Sequence, residues 1–238
     1  MALPMNPCPT YTLTIPSNKK QFKYRPFLVR EQKSLLIAQQ SEQDSVMFDT
    51  IKEVIKTCAQ SEIDVDKLAS FDVEYIFLQL RAASVGEFVE LVFKCEDEHE
   101  GETTVNVQVD VREAKIEEFP GHASKISLYN NVGVVMKYPN VNTLKKINDM
   151  GDDDEFDQVV DIVIDCIDYI YDADEIYTAA DHTRQELVDF LNNMTAEQFE
   201  RIRKFFVTMP KLRLYFKYSC PTCNKEYNRF LEGLSSFF

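Results

Sequence analysis

Two cysteines separated by two residues are the strongest chemical signal in the sequence. Cys220 and Cys223 lie between two segments with strand-like alternation, and thiolates at this spacing can bind one tetrahedral zinc ion from a tight turn. The pair alone is ambiguous, because it also fits a redox pair or two unconnected cysteines. A redox pair belongs at the start of a helix in a thioredoxin-like setting. Since this pair follows a strand, we favour the metal site.

A second pair of possible zinc ligands lies in the other segment whose pattern predicts a strand, a turn and a second strand. Cys95 and His99 are separated by three residues, and Gly101 supplies a turn. Structural zinc sites normally close with four ligands, so the sequence predicts one structural zinc ion bound by Cys95, His99, Cys220 and Cys223. The alternative is a pair of hairpins that packs without metal, in which Cys95 is a small buried apolar side chain and His99 is solvated.

The other cysteines and histidines show no ligand spacing. Cys58 and Cys166 lie on apolar helical stripes and are predicted to be core residues, whereas Cys8 falls in no periodic segment. His122 and His182 lie in predicted loops without a partner nearby in sequence. We expect both histidines to be solvated.

Signatures of enzymes and of ligand-binding loops are missing. The acidic stretches 64–66 and 152–157 lack the spacing of an EF-hand loop, and the six glycines form no phosphate-binding loop. A nucleophile elbow and a metalloprotease motif are also absent. We therefore expect no catalytic residue, no cofactor-binding residue and no small-molecule substrate. An enzyme whose site is assembled from scattered carboxylates is the alternative, and strongly perturbed acidic groups in a deep pocket would support it.

Alternating and helical patterns divide the chain into strands and helices. Two capping boxes, Thr183 to Glu186 and Thr195 to Gln198, mark helix starts. The predicted strands are 11–15, 22–24, 88–94, 104–111, 125–129, 132–138, 211–218 and 226–231, and the predicted helical regions are 44–58, 71–86 and 142–209 with an apolar stripe from Phe156 to Ile167.

These elements predict an α+β fold with a zinc-ribbon-like pair of β-hairpins joined to a mainly helical body. Residues 1–86 hold an N-terminal β-hairpin plus helices. Residues 87–112 and 211–238 form the ribbon-like β element, and residues 113–210 form a mainly helical insertion. Hydrophobic residues make up 45% of the 238 residues, which is enough for a sizeable core.

The charge of the chain excludes some classes of partner. Its formal net charge is -14, from 40 acidic and 26 basic residues. Such a surface repels phosphate backbones and anionic lipid at long range, so we expect neither nucleic acid nor a membrane as a partner. The first ten residues lack a secretory signal pattern, and no apolar run is long enough to span a bilayer. We expect a protein made in the cytosol, where thiols stay reduced.

Several short strings in a specific order resemble one known family over nearly the whole chain. The ending joins Phe205–Leu212, Cys220-Pro-x-Cys223 and Leu231–Phe238 in that order. The strings of the first part are Ala2-Leu-Pro-Met-Asn-Pro, Tyr11-Thr-Leu-Thr-Ile-Pro-Ser, Arg25-Pro-Phe-Leu-Val-Arg-Glu, Leu36-Ile-Ala-Gln-Gln, Ile63-Asp-Val-Asp-Lys-Leu and Phe71-Asp-Val-Glu-Tyr-Ile. Together they resemble the baseplate hub proteins of T-even-like bacteriophages, which have contractile tails.

The resemblance implies a structural or assembly role in the baseplate hub of a phage tail. Members act as hub subunits or as hub assembly chaperones, so the implied partners are other baseplate hub or tail proteins. The implied locations are the host cytoplasm during assembly and the virion tail. Family members often carry a fuller cysteine pair at the first knuckle, where this chain has Cys95 and His99. The alternative from another class is a zinc-ribbon regulatory module that binds a polymerase or nucleic acid.

Overall fold

A computed structural model of the chain describes residues 7–41, 43–97, 104–148 and 155–233. These residues form seven α-helices and eleven β-strands, so the predicted α+β class is confirmed. Contacts divide the described chain into two compact units. Unit 1 comprises the described residues of Met1–Val65, Phe71–Glu117 and Lys211–Phe238, and unit 2 those of Asp66–Ser70 and Glu118–Pro210.

Unit 1 begins with the predicted hairpin. Phe22 and Tyr24 point inward from its second strand, because alternate side chains of a strand share one face. The turn places Lys19 at φ 58°. Its Ser17 N–H donates to the buried Asp72 carboxylate at 2.9 Å, which ties the hairpin to the third helix. The elements up to that helix are β1 Tyr11–Thr14, β2 Gln21–Tyr24, α1 Val29–Gln40, α2 Asp44–Cys58 and α3 Ser70–Val85.

Two helices of unit 1 lie where the sequence predicts them, over 44–58 and 71–86. Ile51, Val54 and Ile55 form the buried face of α2, together with Cys58. The helix begins one residue after Gln43, so Asp44 is its first residue and not the N-cap that its side chain suggests. Helix α3 ends before Gly86, whose φ of 121° a side chain would disfavour.

The rest of unit 1 is built from two sheets and one apolar core. Strand β3 pairs with β4, and β10 pairs with both β11 and β5, all antiparallel. Within β5–β10, Glu117 is the cross-strand partner of Lys211. Helix α3 packs through Leu78 on the core of these sheets, whose buried members include Val89, Val107, Val109, Val111, Leu212, Leu214, Tyr218, Tyr227 and Leu231. The strands are β3 Phe88–Lys94, β4 Thr104–Asp110, β5 Lys115–Glu117, β10 Lys211–Ser219 and β11 Glu226–Glu232.

Unit 2 is an antiparallel sheet of order β6-β7-β8-β9 with four helices. Both predicted capping boxes are confirmed at the starts of α6 and α7. Its apolar core includes Leu128, Val134, Val163, Ile167, Leu187, Leu191, Ile202 and Phe205. The elements are β6 Lys125–Tyr129, β7 Val132–Met136, α4 Val141–Asn148, α5 Glu155–Cys166, β8 Ile167–Tyr171, β9 Ile176–Thr178, α6 Arg184–Asn192 and α7 Ala196–Thr208.

One predicted helix ends earlier than its apolar stripe indicates. The stripe placed Ile167 on a helix, but α5 ends at Cys166 and the chain enters β8 without a loop. The reason is long-range pairing: β8 lies between β7 and β9, with Ile170 opposite both Val134 and Tyr177. Its β-branched and aromatic residues suit a strand, and a helical period in a short apolar run cannot exclude that outcome.

Candidate metal centre

The second knuckle is a tight turn between β10 and β11. The Cys220 N–H donates to the Lys225 carbonyl at 3.0 Å, and the Asn224 N–H donates to the Cys220 carbonyl at 2.9 Å. Asn224 has φ 58°, a left-handed conformation that Asn adopts more readily than most residues. The Thr222 N–H also points at the Cys220 sulfur, 3.4 Å away. This turn brings the sulfurs of Cys220 and Cys223 to the same side.

Cys95 follows directly after β3 and completes a cluster of three sulfurs. The sulfur atoms of Cys95, Cys220 and Cys223 all lie within 4.8 Å of one another. The Cys95 and Cys223 sulfurs are 3.8 Å apart. Zinc–sulfur bonds of about 2.3 Å in a tetrahedron place two sulfurs about 3.8 Å apart. The side chains therefore already have the spacing of two tetrahedral ligands.

Aromatic packing positions the two knuckles against each other within unit 1. The Tyr218 ring stacks between two others, with centroids 5.0 Å from Phe93 and 5.0 Å from Tyr227. Phe93 lies two residues before Cys95, and Tyr218 lies two residues before Cys220. The Phe93 ring lies near the end of β3 and the Tyr218 ring near the end of β10. Because these rings pack together, the cysteines that follow the two strands lie close to each other.

Tyr227 is a part of this cluster that the sequence did not reveal. Its hydroxyl lies 3.1 Å from the Cys95 sulfur, and the Glu96 N–H donates to the same oxygen at 3.3 Å. The hydrogen bond with Cys95 and burial raise the pKa of Tyr227 to about 12. A neutral phenol can donate to a thiolate and so supports Cys95 as a ligand. The only sequence signal for this role is the inward position of Tyr227 in the alternation of β11.

The thiols differ in their electrostatic environment. Burial raises the pKa of Cys220, but hydrogen bonds from the backbone of Cys223 and Thr222 outweigh it and lower that pKa to about 6. The backbone hydrogen bond from Lys225 lowers the pKa of Cys223, but burial, together with hydrogen bonds to Cys220 and Cys95 and charge repulsion from Cys220, outweighs it and raises that pKa. A cluster in which one sulfur is readily a thiolate suits a cation, since the thiolate is the form that binds metal.

Two ion pairs on the surface join the segment after Cys95 to β11 and to the residue that precedes it. Lys225 contacts Asp97 at 2.8 Å, and Arg229 contacts Glu96. All four side chains are substantially exposed, so each pair contributes little to stability. They nevertheless orient the segment that follows Cys95.

The fourth predicted ligand, His99, lies outside the described residues. The structure thus brings together Cys95, Cys220 and Cys223, whose first and last members are separated by 128 positions. Cys58 and Cys166 are buried core residues, as predicted. Burial raises the pKa of Cys58 to about 11 and that of Cys166 to about 12. These two thiols are therefore poor metal ligands.

His122 was wrongly predicted to be solvated. Its Nδ1 lies 3.1 Å from the Thr208 hydroxyl and its Nε2 lies 3.1 Å from the Tyr138 hydroxyl. The ring also stacks on Tyr138 and packs on Phe205, with centroids 5.6 Å and 5.0 Å away. Burial lowers the pKa of His122. It is a structural residue of unit 2 whose partners come from other segments of the chain.

Comparison with known proteins yields one family. The model of the family described as T4 bacteriophage base plate protein matches residues 8–238. No curated protein and no solved structure matches the chain. In the described ranges, none of the helices has the length and apolar character that a bilayer crossing requires.

Proposed function

The chain belongs to the T4 bacteriophage base plate protein family, and we propose that it serves the baseplate hub as a subunit or assembly chaperone. The observation that carries this proposal is the family match over residues 8–238. The hub is the more specific role, and the ordered strings from the N-terminal hairpin to the end of the chain support it. In this role the protein acts by binding other tail proteins and not by catalysis.

Exposed apolar side chains support a role in protein binding. On the outer face of β10–β11, Tyr215 lies opposite Phe230, and their ring centroids are 5.8 Å apart. Both rings are about half exposed, and the Arg213 guanidinium lies 4.7 Å from the Phe230 centroid. Aromatic and arginine side chains are enriched at protein interfaces.

The structural zinc ion is the second part of the proposal. Three sulfurs within 4.8 Å support it, and His99 follows Cys95 at a spacing that lets it supply the fourth ligand. The ion would link the knuckle after β3 to the knuckle between β10 and β11. Its contribution would be to folding alone, because four protein ligands leave no open position for substrate.

A perturbed carboxyl gives no support to an enzyme. Burial raises the pKa of Glu74 on α3 to about 8, with a further increase from Glu232 and a decrease from Lys211. A buried carboxyl beside another carboxylate shows this behaviour wherever it lies. Structural networks perturb pKa values as active sites do, so Glu74 by itself is no catalytic residue.

Co-expression with the hub proteins of the same phage tests the proposed role. We expect a complex of defined stoichiometry with at least one hub protein, measured by size exclusion with light scattering. Mass spectrometry of purified tails then separates a hub subunit, which is present, from an assembly chaperone, which is absent. Failure to bind any hub protein, together with tight and salt-sensitive binding to DNA, would instead support the regulatory zinc-ribbon module.

A further inference from the structure

Helix α1 carries apolar residues on its solvent side. Val29, Leu36 and Ile37 are 81%, 51% and 57% exposed. At 100° per residue these positions fall on one stripe. The opposite side of the helix holds its buried residues, Glu31, Leu35 and Ala38. Single exposed apolar residues are ordinary, but a stripe along one helix marks an interaction surface.

A groove lies beside this stripe, between α1 and the second half of α3. Its volume is about 220 Å³, which is smaller than the clefts of drug-sized ligands, about 300–1,000 Å³. The Phe27 N–H donates to the Ser84 hydroxyl at 2.9 Å and fixes the chain before α1 against α3. The apolar lining residues are Phe27, Leu35, Leu36, Phe77 and Val85.

The polar lining of the groove includes the side chain of Arg81. Arg81 Nη1 is buried and has no hydrogen-bond partner in the part of the chain that the structure describes. Burial lowers the pKa of Arg81. A guanidinium stays protonated in proteins, and leaving a buried charge unpaired is costly. An occupant that brings a carboxylate to Arg81 would remove that cost.

The charges around α1 favour an acidic occupant. Of its two basic residues, Lys33 lies among the residues of the exposed apolar stripe on the helical wheel, whereas Arg30 lies on the flank away from the groove. Its one acidic residue, Glu31, is buried and contacts Arg25 at 3.0 Å and Arg30 at 2.7 Å. Although the chain has a net charge of -14, screening limits exposed charges to a range of about 8–10 Å. The charges close to the groove therefore decide which segment of a partner binds there.

A separate cavity holds the nearest acidic residues of α2. Asp49 and Glu53 line it together with Arg30 and Ser34. On the helical wheel, Arg30 and Ser34 lie on the flank of α1 opposite Gln32 and Gln39, which line the groove. The α2 carboxylates thus belong to the other flank of α1.

We propose that the groove between α1 and α3 binds an amphipathic helix of another base plate protein, with an acidic side chain placed between apolar ones. The carboxylate pairs with Arg81, and the apolar side chains cover Leu36 and Val85. This is the helix-in-groove mode of recognition. The inference rests on the proposed role in the hub and names the surface and the chemistry of the partner.

Site-specific photo-crosslinking in co-expressed hub complexes tests the groove. p-Benzoylphenylalanine replaces Leu36, and the control position is Val207 on α7, which is 69% exposed. We expect an adduct at position 36 whose mapped peptide is amphipathic and contains Asp or Glu among apolar residues. An adduct with a second copy of this chain, an adduct with a segment lacking acids, or no adduct at position 36 would overturn the proposal. If the complex still forms in those cases, the proposed function stands.

Arg81→Met separates a binding role from a structural one. We expect about tenfold weaker binding to the hub protein or more and an unchanged or higher Tm, because the variant removes a buried nitrogen that has no hydrogen-bond partner among the described residues. Arg203→Met on α7 is the control for loss of an exposed, paired arginine and should keep wild-type affinity. Leu36→Lys, at an exposed position, should also weaken binding. Wild-type affinity of Arg81→Met, or a large fall in its Tm, would overturn the proposal.

Discussion

Unit 1 and unit 2 bring distant segments of the chain together by different means. In unit 1 the segments meet at the ends of two hairpins, and in unit 2 they meet in a cluster of aromatic side chains. In unit 2, a four-stranded sheet and its helices bury a continuous core of aliphatic and aromatic residues, and His122 is held by Tyr138, Thr208 and Phe205. In unit 1, β3–β4 is a two-stranded sheet that ends at Cys95. Sheets that small are marginal by themselves. The proposed zinc ion would therefore add to the hairpins of unit 1 a link that unit 2 obtains from packing.

The largest effect should come from removing two of the sulfurs. In Cys220→Ser/Cys223→Ser we expect the loss of about one zinc ion per chain, measured by elemental analysis. We also expect faster amide exchange in β3, β4, β10 and β11, because structural zinc contributes to folding directly. Exchange in unit 2 should stay unchanged.

Cys8→Ser is the matched control, because Cys8 is exposed and belongs to no group of clustered ligands among the described residues. It should keep its zinc. If the wild-type protein contained no metal, the zinc site would be wrong. If the double variant showed faster amide exchange in both units, the contrast between the two units would be wrong.

A smaller effect should come from the core of unit 2. Phe205 is 2% exposed, so Phe205→Ala should lower the free energy of unfolding by about 3–5 kcal/mol, as other large truncations do. Denaturant titration followed by amide exchange measures the loss and assigns it to unit 2. The zinc content should not change.

Val207→Ala, on the exposed side of the same helix, is the control and should change stability by about 0.5 kcal/mol or less. Loss of zinc in Phe205→Ala would mean that the two regions do not act independently.

The last prediction concerns the pH dependence of unit 1. The pKa of Glu74 rises from 4.5 to about 8 on folding, chiefly through burial. Between these values the folded state holds a proton that the unfolded state has lost, so stability falls as pH rises from about 4.5 to about 8. Glu74→Gln should remove this fall and raise the Tm at pH 8 by about 2–4 °C per kcal/mol recovered. If the Tm of the wild type and that of Glu74→Gln changed with pH in the same way, the raised pKa of Glu74 would be wrong.

The local features of the fold could be predicted from the sequence. The hairpin of β1 and β2, both capping boxes and the core positions of Cys58 and Cys166 follow from spacing and residue type alone. The meeting of Cys95 with Cys220 and Cys223 was also a prediction, because structural zinc sites need four ligands and only two segments offered them.

Features that depend on pairing between distant segments could not be predicted. Tyr227 reaches Cys95 only because β11 pairs with β10 in a register that places Tyr218 opposite Tyr227. His122 has no sequence neighbour among its partners. Strand β8 takes its conformation from β7 and β9, although its apolar spacing continues that of α5. In each case tertiary contacts decide between local alternatives that the sequence leaves open.

The pairing of Glu117 with Lys211 has a consequence for engineering the chain. The segment between them begins and ends at adjacent positions of one antiparallel ladder, which is where a two-residue hairpin turn joins strands. A short Asn-Gly linker could therefore replace residues 118–210, and the shortened loop would also cost less entropy to close. Unit 1 could then be produced as a shorter chain. In that chain the Ser70 N–H would lose its acceptor, the Pro139 carbonyl, so a helix cap at that position would complete the design.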